Sequence, residues 1–311
     1  MSLNRLIFYG AIIGGWAAFV GWMIAEILLA AADKTEWWVV TLISGLVGAA
    51  IGGGLSMLAG VANAQWLQMF KRLGPGFLGG LAGGALGGLL GDGIVKLTGG
   101  NPIGYIFGWT LLGVAIGAVD GLYSRSPLKL RNGLIGGAIG GFLGGLLFLP
   151  FNGIGGLSGR ATSFVALGMC IGLFIAIVQV VLKDAWLTVV DGYRPGRQLI
   201  ITEPETFMGT AEKIALPFIA FGARGVEPRH VRIVRQPDGT YVVMDNNTRS
   251  GTKLNSQPLT APAVLRDGDV IAFGVNMVRF SERRRGAGAS APAPAPASTA
   301  ITRGFQQPPK P

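Results

Sequence analysis

Between Leu6 and Leu182 apolar residues run almost without interruption. Polar residues collect at five breaks: DKTEWW (33–38), WLQMFKRLGPG (66–76), KLTGGNP (96–102), SRSPLKLR (124–131) and GLSGR (156–160). A helix that crosses a bilayer needs about 20 apolar residues. The runs predict six such spans, over about 6–31, 38–62, 75–97, 102–123, 133–155 and 162–182. From Lys183 onward the pattern changes to short β-like runs, AWLTVV (185–190), RQLIIT (197–202), HVRIVR (230–235), TYVVMD (240–245) and DVIAFG (269–274). Pro237-Asp238-Gly239 predicts a hairpin turn between two of them. Many short strands with frequent turns predict an all-β sandwich. The expected fold class is an α-helical membrane bundle plus an all-β domain, with a transmembrane domain over 1–182 and a β-domain over 183–285. Residues 286–311 alternate Ala and Pro, a pattern that stays extended and packs no core, so this tail is expected to be disordered.

The glycines sharpen the picture of the membrane half, since all but twelve of the 52 precede residue 183. In the third span they occupy 76, 79, 80, 83, 84, 87 and 88, and in the fifth 133, 136, 137, 140, 141, 144 and 145, each offset by 57. Spacings of three and four put them on one broad helix face, where small residues let backbones approach. The first span carries a weaker version, with Gly14, Gly15 and Ala18 matching Gly79, Gly80 and Gly83. The even spans repeat Gly48-Ile51-Gly52 as Gly113-Ile116-Gly117 and Gly168-Ile171-Gly172. Three tandem glycine-rich hairpins are therefore expected.

Charge adds orientation. Only 14% of residues are charged, against about 25% in soluble domains. Six spans with an inner N-terminus put Arg5, Lys71, Arg72, Arg125, Lys129, Arg131 and Lys183 on one side, and Lys34, Lys96 and Arg160 on the other. The positive-inside rule then places both termini in the cytoplasm of an inner-membrane protein. Trp37, Trp38, Trp66, Tyr123 and Trp186 fall near the expected interfaces, as aromatic anchors do. No cleavable signal peptide is evident, because the apolar run after Arg5 is too long for one. The net charge of +10 is that of a membrane protein with basic inner loops, and no nucleic-acid partner is expected. Arg283-Arg-Arg285 adds affinity for anionic membrane lipid. Cys170, the single cysteine, excludes an intrachain disulfide and a cysteine metal cluster. Three acids, Glu26, Asp92 and Asp120, fall inside the spans. Intramembrane charge is costly and marks candidate function, here a polar ring for ions or protons. The competing reading is local pairing near the helix ends.

In the C-terminal half the residues carry a family resemblance. Gly192-x-x-x-Gly196, Met208-Gly209-Thr210, Glu227-Pro-Arg-His230, Asp245, Ser250-Gly251-Thr252, Asn255 and Leu265-Arg-Asp-Gly268-Asp-Val-Ile271-x-x-Gly274 follow one another over 185–281. Their order and spacing resemble a forkhead-associated (FHA) domain. That resemblance implies an eleven-stranded sandwich whose loops at one end bind phosphothreonine peptides. In the family an arginine and a serine touch the phosphate, an asparagine holds the peptide backbone, and a histidine supports the loop. This chain has Thr210 for the arginine, Glu227 for the serine, and Ser250 for the asparagine. The only histidine, His230, is expected to brace the loop together with Gly209, Gly251 and Asn255. A carboxylate facing a phosphate repels it by roughly 4 kcal/mol at 4 Å and an effective dielectric near 20. Arg224, Arg229, Arg249 and Lys253 lie near these loops in sequence. Arg249 and Lys253 flank the Ser-Gly-Thr turn as a substitute anion site or as solvated surface charges.

No nucleotide loop of the Gly-x-x-x-x-Gly-Lys-Ser/Thr type occurs. No catalytic residue, metal site or cofactor is expected, and the chain does not read as an enzyme. The expected function is a membrane-anchored adaptor that binds a cytoplasmic protein partner, phosphorylated on threonine or recognised with altered phosphate dependence. A Ser/Thr kinase acting on that partner is a candidate regulator; Ser298, Thr299 and Thr302 of the tail are candidate sites for one, and an inert linker end is the expected reading of that tail. Two alternatives stand beside it, a transporter or channel regulated by the FHA domain, and a homo-oligomer that organises the membrane.

Overall fold

The computed structural model describes residues 3–33, 36–63, 66–211, 214, 216–218 and 220–283. Lys34, Arg284, Arg285 and the whole Ala/Pro tail, with Ser298, Thr299 and Thr302, lie outside the described residues.

The expected bundle and sandwich are both present. The six helices are α1 (Leu3–Leu28), α2 (Trp37–Asn63), α3 (Trp66–Leu97), α4 (Ile103–Tyr123), α5 (Pro127–Gly153) and α6 (Gly156–Val181). All six are long and apolar enough to cross a membrane. Three helices start earlier than the apolar runs suggested. WLQMFKRLG is the first part of α3, although Pro75 inside it has no N–H for the Lys71 carbonyl. LKLR opens α5, where Ser126 at the N-cap accepts the Lys129 N–H and Pro127 follows at the first helical position. GLSGR lies within α6, and the break falls at Gly155, whose φ of 79° ends the run from α5. Polar residues mark where lipid ends, whereas helix ends are set by caps and by left-handed backbone.

Each helix packs against its neighbours in the chain, and α1 closes the ring against α6. Glycines make the tightest crossings, Gly48 with Gly80 and Gly52 with Gly76, Gly113 with Gly137 and Gly117 with Gly133, Gly168 with Gly14 and Gly172 with Gly10. A Cβ at any of these would come within 3.0 Å of a facing carbonyl oxygen or side chain, inside van der Waals contact. The crossings join α2 to α3, α4 to α5, and α6 to α1. Gly14 therefore plays the part of Gly80, one residue away from the equivalence with Gly79 expected from the sequence. The centre of the ring is filled by Val47, Ile51, Leu112, Ile116, Leu167 and Ile171 from the even-numbered helices, each at most 5% exposed.

The three acids of the spans are all paired. Glu26 meets Arg160 at 3.2 Å and Asp92 meets Lys96 at 2.8 Å. Asp120 meets Arg72 at 2.8 Å, at the opposite end of the bundle. Glu26 and Asp92 are thus neutralised by Arg160 and Lys96, the sparse cations of that end, which fits local pairing better than an ion-conducting ring.

The C-terminal half has eleven strands in two sheets. They are β1 (Ala185–Asp191), β2 (Gln198–Ile201), β3 (Glu205–Gly209), β4 (Leu216–Pro217), β5 (Val231–Arg235), β6 (Tyr241–Asp245), β7 (Thr252–Leu254), β8 (Gln257–Pro258), β9 (Ala263–Val264), β10 (Val270–Phe273) and β11 (Asn276–Glu282). One sheet runs β2-β1-β11-β10-β7-β8 and the other β4-β3-β5-β6-β9. Alternation sends Leu187, Val189, Val231, Ile233, Val243, Ile271, Val278 and Phe280 into one core between them. The predicted turn at Pro237-Asp238-Gly239 joins β5 to β6, with Gly239 at φ 88° and Asp238 accepting the Thr240 N–H.

Bundle and sandwich meet through a polar seam. The Ser126 hydroxyl donates to the Thr202 carbonyl. Lys129 reaches Glu203 at 3.1 Å, and Arg72 lies 4.0 Å from the same carboxylate. Asp120 therefore belongs to a cluster of four charges at the end of the bundle nearest the sandwich.

Candidate functional site

Three segments converge at one end of the sandwich: the end of β3, the stretch before β5, and the β6–β7 loop. Gly209 closes β3 where any Cβ would run into the carbonyls of Glu227 and Pro228. That close approach lets the Thr210 N–H donate to the Glu227 carbonyl at 3.0 Å. Thr210 and Glu227 are thereby adjacent.

His230 is fully buried and holds the loops together. Its Nδ1 accepts the Glu227 N–H at 3.1 Å, so the ring proton sits on Nε2. From there it faces the Gly251 carbonyl and the Thr248 hydroxyl, both at 3.2 Å. The ring also packs on Phe273, with centroids 5.4 Å apart. Gly251 offers its carbonyl from a left-handed conformation, φ 66°. Both ring nitrogens of His230 are thus engaged within the fold.

Asp245 anchors the other side of the β6–β7 loop. Its carboxylate accepts from the Thr248 N–H (2.8 Å), the Thr248 hydroxyl (2.7 Å) and the Thr252 hydroxyl (2.6 Å). Partial burial pushes its pKa up, but the bonds from Thr252 and Thr248 outweigh that and hold the carboxyl below its ordinary range.

The Glu227 side chain occupies an unusual place. Its Oε1 accepts the backbone N–H of Arg249 at 2.8 Å, tying two loops together through a carboxylate. Ser250, next in the chain, donates its hydroxyl to the Gly225 carbonyl at 2.7 Å. Both hydrogen-bonding groups point into the protein's own loops. The Arg229 guanidinium lies over the Phe207 ring, 5.2 Å from its centroid. Arg249 and Lys253 are exposed, and the alternation along β7 that buries Thr252 turns Lys253 outward. Asn255 sits at the far end of β7 from Gly251. It bonds Asp269 and the Val270 N–H, holding the β7–β8 turn and not the convergent loops.

Two contributors escape sequence inspection. Thr248 links His230 to Asp245 from an unpatterned stretch, Asn246-Asn247-Thr248, where nothing in the spacing singles it out. Asn276 is buried at the start of β11, donating to the Gly222 carbonyl and accepting the Tyr193 N–H. A polar residue opening an alternating apolar strand was its one signal. Among the described residues no group of three His, Cys, Asp or Glu side chains is placed to hold a metal ion.

Comparison with known proteins follows this geometry. Residues 209–274 match the family model of the FHA domain. A solved structure from work on phosphothreonine-dependent FHA domain interactions is 25% identical, covering 32% of this chain and 97% of its own, with a TM-score of 0.29. The FHA domain of FhaA, crystallised with the intracellular domain of Rv3910, is 25% identical over 31% of this chain and 99% of its own, TM-score 0.28. An FHA domain from Arabidopsis thaliana is 25% identical over 36% and 92%, TM-score 0.29. No curated protein matches the chain. The sandwich built around residues 209–274 is an FHA domain, joined to six helices each long and apolar enough to span a membrane.

Proposed function

We propose that the chain is a membrane-anchored adaptor whose FHA domain, over about 183–285, binds a cytoplasmic protein partner with altered dependence on phosphothreonine. FHA domains are protein-interaction modules, and among the described residues no group of three His, Cys, Asp or Glu side chains is placed to hold a metal ion. The altered dependence is carried by one observation, the Glu227 carboxylate bonded to the Arg249 N–H. Glu227 stands where the family pattern has a serine that touches phosphate, and Thr210 stands where it has an arginine. A phosphorylated threonine carries about −1.5 to −2 charges, so a fixed carboxylate at this point opposes it. The anion already held in these loops is the chain's own. Arg229, Arg249 and Lys253 remain at the surface to meet an acidic or singly phosphorylated partner.

Orientation follows from the basic residues. Arg72 and Lys129 lie at the sandwich end of the bundle and pair with Glu203 and Asp120. By the positive-inside rule that end, and the FHA domain with it, is cytoplasmic in an inner membrane. A Ser/Thr kinase and anionic lipid are the further partners of this reading.

Calorimetric titration of residues 183–285 with phosphorylated and unphosphorylated threonine peptides tests it. Affinity differing by less than about tenfold between the two forms is expected. Tight binding of many phosphopeptides, unchanged in Arg249→Ala, would sink the proposal.

A further inference from the structure

Three segments meet where α6 leaves the bundle. The first is the end of α6 itself, at Val181, followed by Leu182 and Lys183. The second is the start of α5, where the Asn132 side chain donates to the Leu182 carbonyl at 3.5 Å and accepts from Arg131 Nε at 3.2 Å. The third is the end of β11, where the Arg283 N–H donates to the Asp184 carbonyl at 2.7 Å. Arg131, Lys183 and Arg283 are thereby gathered around one helix end. Two residues past the span, Lys183 lies within roughly 7 Å of its end, inside the depth of a headgroup layer.

Several neighbouring cations are already neutralised, Arg72 and Lys129 by Asp120 and Glu203, and Arg235 by Asp184 at 3.1 Å. Arg131, Lys183 and Arg283 meet no carboxylate at ion-pair distance among the described residues, and Arg131 and Arg283 are exposed. Asp184, Glu282 and the negative end of α6, worth about half a charge, stand against these three and Arg235, so the surplus is positive. Partial burial and then the nearby Arg283 charge hold the Lys183 amine below its ordinary range, a cost that an anion between the two would relieve. Trp186 adds an apolar wall. Ala185 and Leu187 point into the core, so Trp186 faces outward, flanked by Ile200 and Ser281 on the adjoining strands. Lys183 Nζ stands over its ring, 4.1 Å from the centroid. An aromatic ring beside cations at this depth suits the junction of acyl chain and headgroup.

We infer that Arg131, Lys183 and Arg283 form a site for the phosphate of one anionic phospholipid, in the leaflet on the sandwich side, with the lipid's glycerol region against Trp186. The lipid bridges α5, the α6 end and β11, and so ties the FHA domain to the bundle from the membrane side. A zwitterionic lipid carries its own cation beside the phosphate and gains less from this cluster. The site gives the anionic-lipid partner of the adaptor reading a place and a stoichiometry, and rests on that reading only for calling the leaflet inner. Lipid affinity in detergent is blind to sidedness and to phosphothreonine, so this test and the peptide titration fail separately.

The test uses native mass spectrometry of the full chain released from a neutral detergent, which counts bound lipids one by one. Dioleoylphosphatidylglycerol is the anionic probe, and dioleoylphosphatidylcholine is its zwitterionic counterpart with the same chains. The first phosphatidylglycerol is expected to bind about tenfold more tightly than phosphatidylcholine, and more tightly than any later one. Lys183→Gln and Arg283→Gln are each expected to weaken that first binding by about fivefold, the worth of one cation at an anionic surface. Lys183→Arg, which keeps the charge, is expected to retain it. Lys71→Gln is the control, because Lys71 is exposed on α3, whose main packing partners are α2 and α4. Equal affinity for the two lipids, or an equal loss in Lys71→Gln, would overturn the inference. So would displacement of the lipid by an equal concentration of glycerol 3-phosphate, which would mark a site for soluble phosphate. Because the lipid comparison is made on the unaltered chain, it stands even if a variant fails to fold.

Discussion

Glu227 concentrates the functional question in one side chain. A carboxylate accepts hydrogen bonds and cannot donate one to a phosphate, so its replacement by serine removes a repulsion and supplies a donor. Glu227→Ser is expected to raise affinity for threonine-phosphorylated peptides by about tenfold or more, read by calorimetry, while leaving unphosphorylated peptides nearly unaffected. Asp245 carries a different prediction. Its carboxyl titrates lower in the folded chain than when unfolded, held there by Thr252 and Thr248 against the opposing effect of burial. Such a group contributes stability that is complete above the ordinary carboxylate value, near 4, and is lost as pH falls through the lower folded value. Urea unfolding of residues 183–285 is expected to show the wild-type losing stability from about pH 5 to pH 2, and Asp245→Asn losing less over the same window. Part of this was legible in the sequence. His230 was expected to support the loop because the sequence has no second histidine and only one cysteine to give it a metal or catalytic partner. The Glu227–Arg249 bond was not, because its donor is a backbone N–H and main-chain groups leave no mark on residue identity.

At the level of elements, side-chain period was a good guide and helix limits were not. Leu187, Val189, Ile233 and Val243 alternate along their strands because one face of each packs into the core, and any reader of the sequence can find them. The start of α3 at Trp66 could not be found that way, since the helix begins nine residues before the apolar run expected from residue 75. The glycine faces make a sharper prediction. Gly137 sits against the Gly113 carbonyl, whereas a Cβ on Gly93 would meet nothing within 4 Å. Gly137→Ala is expected to lower the thermal unfolding midpoint in detergent clearly. Gly93→Ala, relieved of glycine's poor helix propensity, is expected to leave it unchanged or raised by the equivalent of up to about 1 kcal/mol. The β7–β8 turn offers a stabilising change. Asn255 and Ser256 both have positive φ, 50° and 71°, as in the two-residue hairpins that favour Asn-Gly. Ser256→Gly is expected to stabilise the sandwich by about 1 kcal/mol, measured by urea unfolding.

On the scale of the whole molecule, the seam between bundle and sandwich is polar, partly exposed and small. Arg72 and Lys129 each lie 2.8 to 4.0 Å from the Asp120 and Glu203 carboxylates, with Glu203 37% exposed. Pairs of this kind are worth about 0–1 kcal/mol each and weaken with salt. Spin labels placed on α5 and β5 are expected to give a narrow distance distribution at low salt. Glu203→Lys, or high salt, is expected to broaden it. The closing of the ring by α1 on α6 has a consequence for biosynthesis. Gly10 and Gly14 are made with the first helix, yet their docking surface, Gly168 and Gly172, is made only with the sixth. Throughout elongation the first helix waits in the bilayer with its small-residue face unmatched, so a nascent chain halted anywhere before α6 presents the same recognisable defect to membrane quality control.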